Sequence, residues 1–278
     1  MSDEQMISTT FESMDLSREI LDAVREMGFA QPSTVQARTI PLMMAGVDIN
    51  AIAPTGTGKT CAFGIPMLEY VQLKDSRVQE VVLAPTRELA LQIGEELTHL
   101  AHFIQGVRIA VLYGGQPISR QISALKRKPQ IVVATPGRML DHMQRGNISL
   151  RAVHTMVLDE ADEMLNMGFV KDVTKIIEAT PSDRQLVLFS ATTNQDVLTI
   201  AWKYQHDPVE ITVEATKEDR PQITQYVIAT EQPEKNDHLL YLLDADVYHR
   251  VMIFCNTKFM TDRLTSKLQK DGYDAQCL

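Results

Sequence analysis

The sequence has few cysteines, and they form no pattern. Cys61, Cys255 and Cys277 are odd in number and far apart, so the sequence contains neither a disulfide framework nor a zinc-ligand spacing. Such usage is typical of proteins in a reducing compartment, and we expect a cytoplasmic location.

Excess positive charge and long apolar runs are also missing. The 27 basic residues face 36 acidic ones, for a net charge of −9, so a nucleic-acid partner would need a local basic strip. The start, residues 1–5, is polar and acidic and lacks the apolar core of a signal peptide. No apolar run has the length of a membrane span, and we expect no membrane partner.

The chain nevertheless has enough apolar residues to fold. Hydrophobic residues make up 44% of its 278 positions, which indicates a globular protein and favours two domains of ordinary size. Continuous β-branched runs alternate with amphipathic segments from residue 49 to residue 213. This alternation predicts an α/β fold with a parallel sheet and helices on both faces, whose ligands bind at the carboxyl ends of the strands.

A phosphate-binding loop is the first motif. After the apolar run 49–53 and before the helix-compatible segment 61–71, the chain reads Ala53, Pro54, Thr55, Gly56, Thr57, Gly58, Lys59, Thr60. The glycines let backbone N–H groups converge at a helix N-terminus, which suits an anion. We expect Lys59 to contact the β- and γ-phosphates of a nucleotide and Thr60 to bind Mg²⁺. The alternative is a plain glycine-rich turn.

An acidic run follows the predicted strand 156–158. Asp159 is expected to hold Mg²⁺, and Glu160 is placed to take a proton from the attacking water. Asp162 completes the run. The alternative is a helix start enriched in acids.

Four other strand ends carry small, hydroxyl or basic residues. Three of them offer N–H groups, hydroxyls or guanidinium groups that suit the phosphates of a nucleic-acid backbone, although each alone reads as a helix cap. The fourth, Ser190 with Thr192, presents two hydroxyls at the same edge. The residues of the first three are Pro85, Thr86 and Arg87; Gly114 and Gly115; and Thr135, Pro136, Gly137 and Arg138.

Phe11 and Gln36 precede the loop. Judged by residue type, Phe11 is a core aromatic and Gln36 a surface glutamine. A glutamine amide can also pair with the N6/N7 edge of adenine.

Together these motifs identify the chain as similar to DEAD-box ATP-dependent RNA helicases, and the sequence most resembles the bacterial members of that family. They appear in family order across residues 11 to 213, although Thr34 stands where the family usually has proline. The resemblance implies a RecA-like domain at 1–213, with an adenine-recognition segment at 11–36. It implies ATP and Mg²⁺ as ligands, and single-stranded RNA held by its sugar-phosphate backbone at the three strand ends. Phe11 and Gln36 would frame the adenine. Ser190 and Thr192 would couple hydrolysis to strand separation through Asp162.

The remaining residues resemble the start of a second domain. We interpret 214–222 as a polar linker and 223–278 as the incomplete N-terminal part of a second RecA-like domain, with strands at 223–228, 251–254 and 274–278 and helices between them. The resemblance places a catalytic arginine in the part of that domain that these residues do not include. We therefore expect the 278 residues to bind ATP but to hydrolyse it poorly alone.

Three functional classes remain open. They are an RNA helicase, a nucleotide-dependent RNA-binding module without turnover, and an unrelated phosphate-loop enzyme such as a kinase. The strand-end motifs argue against the third class.

Overall fold

A computed structural model describes residues 10–192, 194–214, 223–232, 234–245 and 248–277. The chain divides into two compact units, Met1–Pro221 and Gln222–Leu278. The division falls within the predicted linker, of which residues 215–222 lie outside the described residues. The assignment of domains and linker therefore stays a prediction.

The first unit contains a seven-stranded sheet with the strand order β3-β4-β2-β5-β6-β1-β7. All six neighbouring pairs are parallel, which confirms the predicted sheet. The β-branched runs form its central strands because both faces are covered by helices. The strands are β1 (Ile49–Ile52), β2 (Glu80–Leu83), β3 (Ile109–Leu112), β4 (Ile131–Ala134), β5 (Thr155–Leu158), β6 (Gln185–Ser190) and β7 (Val209–Thr212).

A 3₁₀ turn at Phe11–Met14 and nine helices complete the described part of this unit. The helices are α1 (Arg18–Glu26), α2 (Thr34–Met44), α3 (Lys59–Tyr70), α4 (Arg87–Leu100), α5 (Ile118–Leu125), α6 (Pro136–Gln144), α7 (Ala161–Asn166), α8 (Val170–Glu178) and α9 (Gln195–Tyr204). The acid-rich helix start that was the alternative interpretation of the acidic run is confirmed, because Glu160 caps α7 and Asp162 lies in its first turn. No bounds were predicted for α8 or α9. In α8 the buried residues Val173, Ile176 and Ile177 have the i, i+3, i+4 spacing that could have revealed it.

The sheet separates two hydrophobic cores. Alternate residues of β2 point to opposite faces, so Val82 lies in one core and Val81 in the other. The helices α1 to α4 contribute to the first core and α6 to α9 to the second. This two-sided burial holds the strands in register and so fixes where their carboxyl ends lie.

The second unit contains two helices among its described residues, α10 (Lys235–Asp244) and α11 (Lys258–Lys270). The strands predicted at 223–228, 251–254 and 274–278 are wrong for the described residues, which form no strand there. A strand requires a hydrogen-bonded neighbour, and the described backbone of these segments makes no ladder hydrogen bond. Apolar side chains there stay open to solvent, with Val227 96% and Phe254 87% exposed.

Across the described ranges, no helix combines the length and hydrophobicity that crossing a bilayer would require.

Candidate functional site

The carboxyl ends of the strands form one edge of the sheet, which we call the rim. Loop 53–60 follows β1, Asp159 follows β5, and Ser190 ends β6. These three strands are neighbours in the sheet, and so are β3, β4 and β2, which lead into the three predicted RNA segments. The predicted residues thus occupy two adjoining parts of the rim, a nucleotide half (the ends of β1, β5 and β6) and an RNA half (the ends of β2, β3 and β4).

The phosphate loop is anchored to the sheet and turns sharply into α3. The backbone N–H of Ala53 donates to the Ser190 carbonyl at 3.0 Å, and the Thr57 hydroxyl donates to the Pro54 carbonyl at 2.9 Å. Gly58 has the left-handed φ of 86° and caps α3 without a side-chain hydrogen bond. The first N–H groups of α3 are therefore available to an anion.

The segment before the loop supports it from one side. The Ser33 hydroxyl donates to the Thr57 carbonyl at 2.7 Å, and Gln36 Nε2 donates to the Gly58 carbonyl at 3.1 Å. Gln36 Oε1 also accepts from the Ser33 backbone N–H at 2.9 Å, in a capping box at the start of α2. A Cβ at position 58 would lie 2.4 Å from Gln36 Nε2, so glycine is required for this approach.

The two residues predicted to frame adenine are both buried. Phe11 is 3% exposed and packs in the first core, which confirms its interpretation as a core aromatic. Gln36 is 2% exposed, so its interpretation as a surface residue is wrong, because its amide bonds the phosphate loop. Each amide atom of Gln36 retains capacity for one more hydrogen bond, and its pairing with adenine stays a prediction.

Lys59 and Asp159 are both buried in the nucleotide half, and the Lys59 charge acts on Asp159. Their exposed fractions are 7% and 3%, and the Lys59 ammonium donates to the Ala53 carbonyl at 3.3 Å. Burial raises the pKa of Asp159 to about 6, against the opposing effect of the Lys59 charge. A cation bound beside a buried carboxylate of this kind would stabilise its ionised form.

Glu160 and Asp162 are held in defined conformations. Glu160 has the left-handed φ of 49°, uncommon for a non-glycine residue, and its N–H donates to Asp159 Oδ1 at 3.0 Å. Thr192 donates to Asp162 Oδ2 from its hydroxyl at 2.7 Å and from its N–H at 3.0 Å. Burial alone would raise the pKa of Asp162, but hydrogen bonds from Thr192 and Ser190 hold it below its ordinary value.

The residues of the nucleotide half fit a nucleotide with Mg²⁺. The orphan N–H groups of α3 and the Lys59 ammonium suit phosphates, and Thr60 and Asp159 offer the hard oxygen ligands that Mg²⁺ prefers. Among the described residues, no group of three or more His, Cys, Asp and Glu could hold a metal. Mg²⁺ in such sites takes one or two carboxylates and completes its shell with phosphate and water.

In the RNA half, the end of β2 meets the end of β3. Thr86 accepts from the Leu89 N–H at 3.2 Å, so its hydroxyl caps α4, as the simpler interpretation held. Arg87 is exposed, and its guanidinium lies 5.2 Å from the centre of the Tyr113 ring. Gly115 has a φ of 83°, and a Cβ there would lie 3.7 Å from an Arg87 nitrogen.

The end of β4 carries the second arginine. Thr135 begins α6 without a side-chain capping bond, Pro136 is buried and Gly137 is exposed. Arg138 NH1 donates to the Gln116 carbonyl and to Gln121 Oε1, both at 3.0 Å. Arg138 is thus held against the segment that follows β3.

Sequence reasoning missed three residues that organise the RNA half: Tyr113, Gln116 and Gln121. Tyr113 precedes the glycine pair at a strand end, where an aromatic could have been noted as a stacking surface. The partners of Gln121, Tyr113 and Arg138, lie 8 and 17 positions away on other elements, so no local signal identified it. Gln116 donates to Tyr113 only three residues away, but its residue type alone did not mark it.

Comparisons with known proteins found similar sequences. Residues 33–200, more than half of the chain, match the model of the "DEAD/DEAH box helicase" family. The chain is 45% identical over 268 residues to the "DEAD-box ATP-dependent RNA helicase CshA" of Geobacillus kaustophilus, covering 96% of this chain and 57% of that protein. It is 43% identical over 268 residues to the "ATP-dependent RNA helicase CshA" of Listeria monocytogenes, covering 96% and 51%. The chain spans about half the length of the curated relatives it matches.

Solved structures are also similar. A crystal structure of a DEAD box protein from the hyperthermophile Methanococcus jannaschii matches with a TM-score of 0.71 and 40% identity, covering 95% of this chain and 71% of that one. A hypothetical ATP-dependent RNA helicase from Sulfolobus tokodaii matches with a TM-score of 0.65 and 36% identity, covering 71% and 57%. These likenesses confirm the predicted RecA-like fold class.

Proposed function

Because the chain belongs to the DEAD/DEAH box helicase family, we propose that it binds ATP with Mg²⁺ in the nucleotide half and single-stranded RNA in the RNA half. In the whole protein this binding would couple ATP hydrolysis to local RNA unwinding or remodelling. The observation that carries the proposal is the adjacency of the two halves along one rim. A nucleotide and a polymer bound there would be neighbours.

In the nucleotide half, each residue has a distinct role. Loop 53–60 and the N-terminus of α3 bind the phosphates, and Lys59 neutralises the charge of the β- and γ-phosphates. Thr60 and Asp159 would hold Mg²⁺, which would supply positive charge beside the phosphates. Glu160 orients water and accepts its proton. Lys59 leaves the Ala53 carbonyl to contact phosphate, at a cost of one weak hydrogen bond.

Gln36 provides adenine selectivity and links the base to the phosphate loop. Its amide is fixed by the Ser33 N–H and the Gly58 carbonyl. The second hydrogen on Nε2 and the second lone pair on Oε1 match the acceptor and donor of adenine N7 and N6. Guanine offers two acceptors at that edge and would leave one of them opposite an amide oxygen.

In the RNA half, the contacts are to phosphate and sugar. Arg87 and Arg138 supply positive charge, while the N–H groups of Gly114 and Gly115 and the hydroxyl of Thr135 supply hydrogen bonds. Such contacts hold any sequence, and selection of RNA over DNA rests on the 2′-hydroxyl.

The pair Asp162 and Thr192 connects the two activities. It joins α7, which begins within the acidic run, to the segment after β6. A shift of Asp159 and Glu160 during phosphoryl transfer would reach Thr192 through this hydrogen bond. The same displacement is the proposed route from hydrolysis to strand separation.

The decisive experiment is phosphate release from ATP by the 278-residue chain, with and without saturating single-stranded RNA. Glu160→Gln serves as the blank, and binding of a fluorescent ATP analogue is measured in parallel.

ATP-analogue binding that responds to RNA supports the helicase class, and turnover above the blank would contradict the predicted low hydrolysis. Binding without turnover is expected both of the helicase and of the nucleotide-dependent RNA-binding module, the second candidate. RNA-dependent turnover when the remainder of a relative's second domain is supplied would favour the helicase, and its continued absence would favour the module. If RNA has no effect on nucleotide binding, the proposal fails in favour of an unrelated phosphate-loop enzyme. The cytoplasmic location stays a prediction.

A further inference from the structure

Gln121 connects three elements of the RNA half. It lies on α5 and is 1% exposed, although its side chain ends in a polar amide. Its Nε2 donates to the Tyr113 carbonyl at 2.9 Å, and its Oε1 accepts from Arg138 NH1 at 3.0 Å. One amide therefore joins the end of β3 to the arginine that follows β4.

The orientation of this amide is fixed by its neighbours. The Tyr113 carbonyl can only accept, so the amide nitrogen must face it and the oxygen must face Arg138. His142 Nε2 lies 3.0 Å from the same oxygen, so it must carry hydrogen, and Nδ1 is then free to accept from Asn147 Nδ2 at 3.2 Å. Burial and the nearby Arg138 charge lower the pKa of His142, which keeps this neutral tautomer. Each of these four hydrogen bonds thus pairs a donor with an acceptor.

The contacts continue to the other arginine of the RNA half. Arg138 also donates to the Gln116 carbonyl, and the Gln116 amide donates to the Tyr113 hydroxyl at 3.2 Å. The face of the Tyr113 ring carries the Arg87 guanidinium. A connected set of contacts thus runs from Gln121 to both arginines and across the segment that contains the glycine pair.

Resting on the proposed RNA function, we propose that Gln121 is a positioning residue for the sugar-phosphate backbone. It holds Arg138 and the segment 113–116 as one preorganised unit. Only one nitrogen of Arg138 is used by the two protein acceptors, and the other guanidinium donors remain for a phosphate. Fixing the guanidinium before binding removes the entropy cost of ordering a long side chain at the interface.

The test replaces Gln121 by methionine, which has similar volume and no amide. We expect Gln121→Met to weaken binding of fluorescein-labelled single-stranded RNA about three- to tenfold and no more than Arg138→Ala does, through the loss of one charge-assisted contact. The slope of log Kd against log salt should fall by about 0.7, the value for one phosphate contact on a single strand. Affinity for a fluorescent ATP analogue should stay unchanged.

Gln185→Met is the matched control. Gln185 is also a buried glutamine, but it donates to the Met43 and Val47 carbonyls at the opposite end of the sheet. The Gln185→Met variant therefore also loses a buried amide, but it leaves the residues of the RNA half unchanged. An equal loss of RNA affinity in both variants would mean general destabilisation and would overturn the inference.

The double variant Gln121→Met/Arg138→Ala separates positioning from packing. If Gln121 acts through Arg138, the double variant should bind RNA no more weakly than the weaker single variant. Fully additive losses, or an unchanged salt slope in Gln121→Met, would overturn the inference while leaving the proposed RNA function intact. Failure of the unaltered chain to bind RNA even at low salt would overturn both together.

Discussion

The two halves of the rim hold their functional groups in opposite ways. In the nucleotide half Lys59, Asp159 and Ser190 are buried, and the pKa of Asp159 is raised by that burial. In the RNA half Arg87 and Gly115 are exposed, and Arg138 is half-buried. The same set of parallel strand ends therefore presents buried charged groups on one side and exposed or half-buried ones on the other.

This difference follows from the size and charge of the two ligands. A nucleotide with its metal is small enough to be enclosed, and charged groups gain most from each other where water is excluded. A polymer must enter from the side, so its site stays open and each contact competes with solvent and salt. We therefore expect single substitutions to have large effects in the nucleotide half and small ones in the RNA half.

The largest effect is expected from Lys59→Ala. It removes a buried positive charge from the phosphates, so affinity for ATP should fall roughly 10- to 100-fold, both with Mg²⁺ and with chelator. Titration with a fluorescent ATP analogue measures this, and Lys126→Ala, an exposed lysine at the end of α5, is the control. A change smaller than twofold would remove the contrast between the halves.

Asp159→Asn should act on the same ligand by a different route. The amide keeps the shape but weakens the Mg²⁺ site, so affinity should fall about tenfold with Mg²⁺ and little in chelator. The two titrations are run on the same protein sample. An equal loss in chelator would show that the carboxylate acts on the nucleotide directly.

The phosphate loop and the acidic run could be predicted because each is contiguous in the sequence. The residue types that indicate phosphate and metal binding lie within a few residues of a strand end, at Gly58, Lys59 and Asp159. The parallel sheet was predictable for the same reason, since each buried strand is a short apolar run. What a single stretch of sequence encodes was therefore recovered.

Contacts between distant residues were not predictable. Gln36 was interpreted as a surface side chain because its partner Gly58 is 22 positions away. Gln121 was not singled out at all, because Tyr113 and Arg138 belong to other elements. The strands predicted at 223–228 and 251–254 failed for a related reason. A β-branched run becomes a strand only when another strand pairs with it, which no local pattern encodes.

Gln36→Ala should have an intermediate effect in the nucleotide half. We expect affinity for ATP to fall about tenfold, because the variant loses both the adenine contact and the hydrogen bond to Gly58. The preference for ATP over GTP should narrow, since only the adenine contact is base-specific. Competition titrations with both nucleotides check this, and equal affinity of the unaltered chain for ATP and GTP would contradict it.

Glu80 tests whether burial alone explains the behaviour of Asp159. It begins β2 at the other end of the sheet, is 0% exposed, and has His154 Nδ1 at 3.4 Å. Burial raises the pKa of Glu80 well above its ordinary value of 4.5. The contribution of the neutral Glu80 carboxyl to stability is therefore fully present below the pKa that Glu80 has in the unfolded chain. It is lost as pH rises through the pKa that Glu80 has in the folded protein.

Glu80→Gln should consequently flatten the decline of stability at rising pH. We expect the variant to be more stable than the unaltered chain at pH 8, with the difference vanishing near pH 4. Urea unfolding at both pH values measures this. A variant that is less stable at pH 8 would mean that the ionised carboxylate is paired, and that burial does not dominate at this end of the sheet.

The smallest effects are expected in the RNA half, from Arg87→Ala and Arg138→Ala. Each substitution removes one exposed or half-buried phosphate contact, so affinity should fall only about three- to tenfold. The loss should be equal for all single-stranded sequences, because phosphates carry no base information. Each variant should lower the salt slope by about 0.7, measured by anisotropy from low to moderate salt.

Arg151→Ala is the control for these two variants, because Arg151 is exposed and precedes the amino end of β5, away from the rim. It changes the net charge by the same amount, so a long-range electrostatic effect would appear in all three proteins. A loss confined to one RNA sequence would mean that bases are read. A loss of RNA affinity as large as the loss of ATP affinity in Lys59→Ala would mean that Arg87 or Arg138 becomes buried when RNA binds. The difference in burial between the two halves would then disappear in the complex.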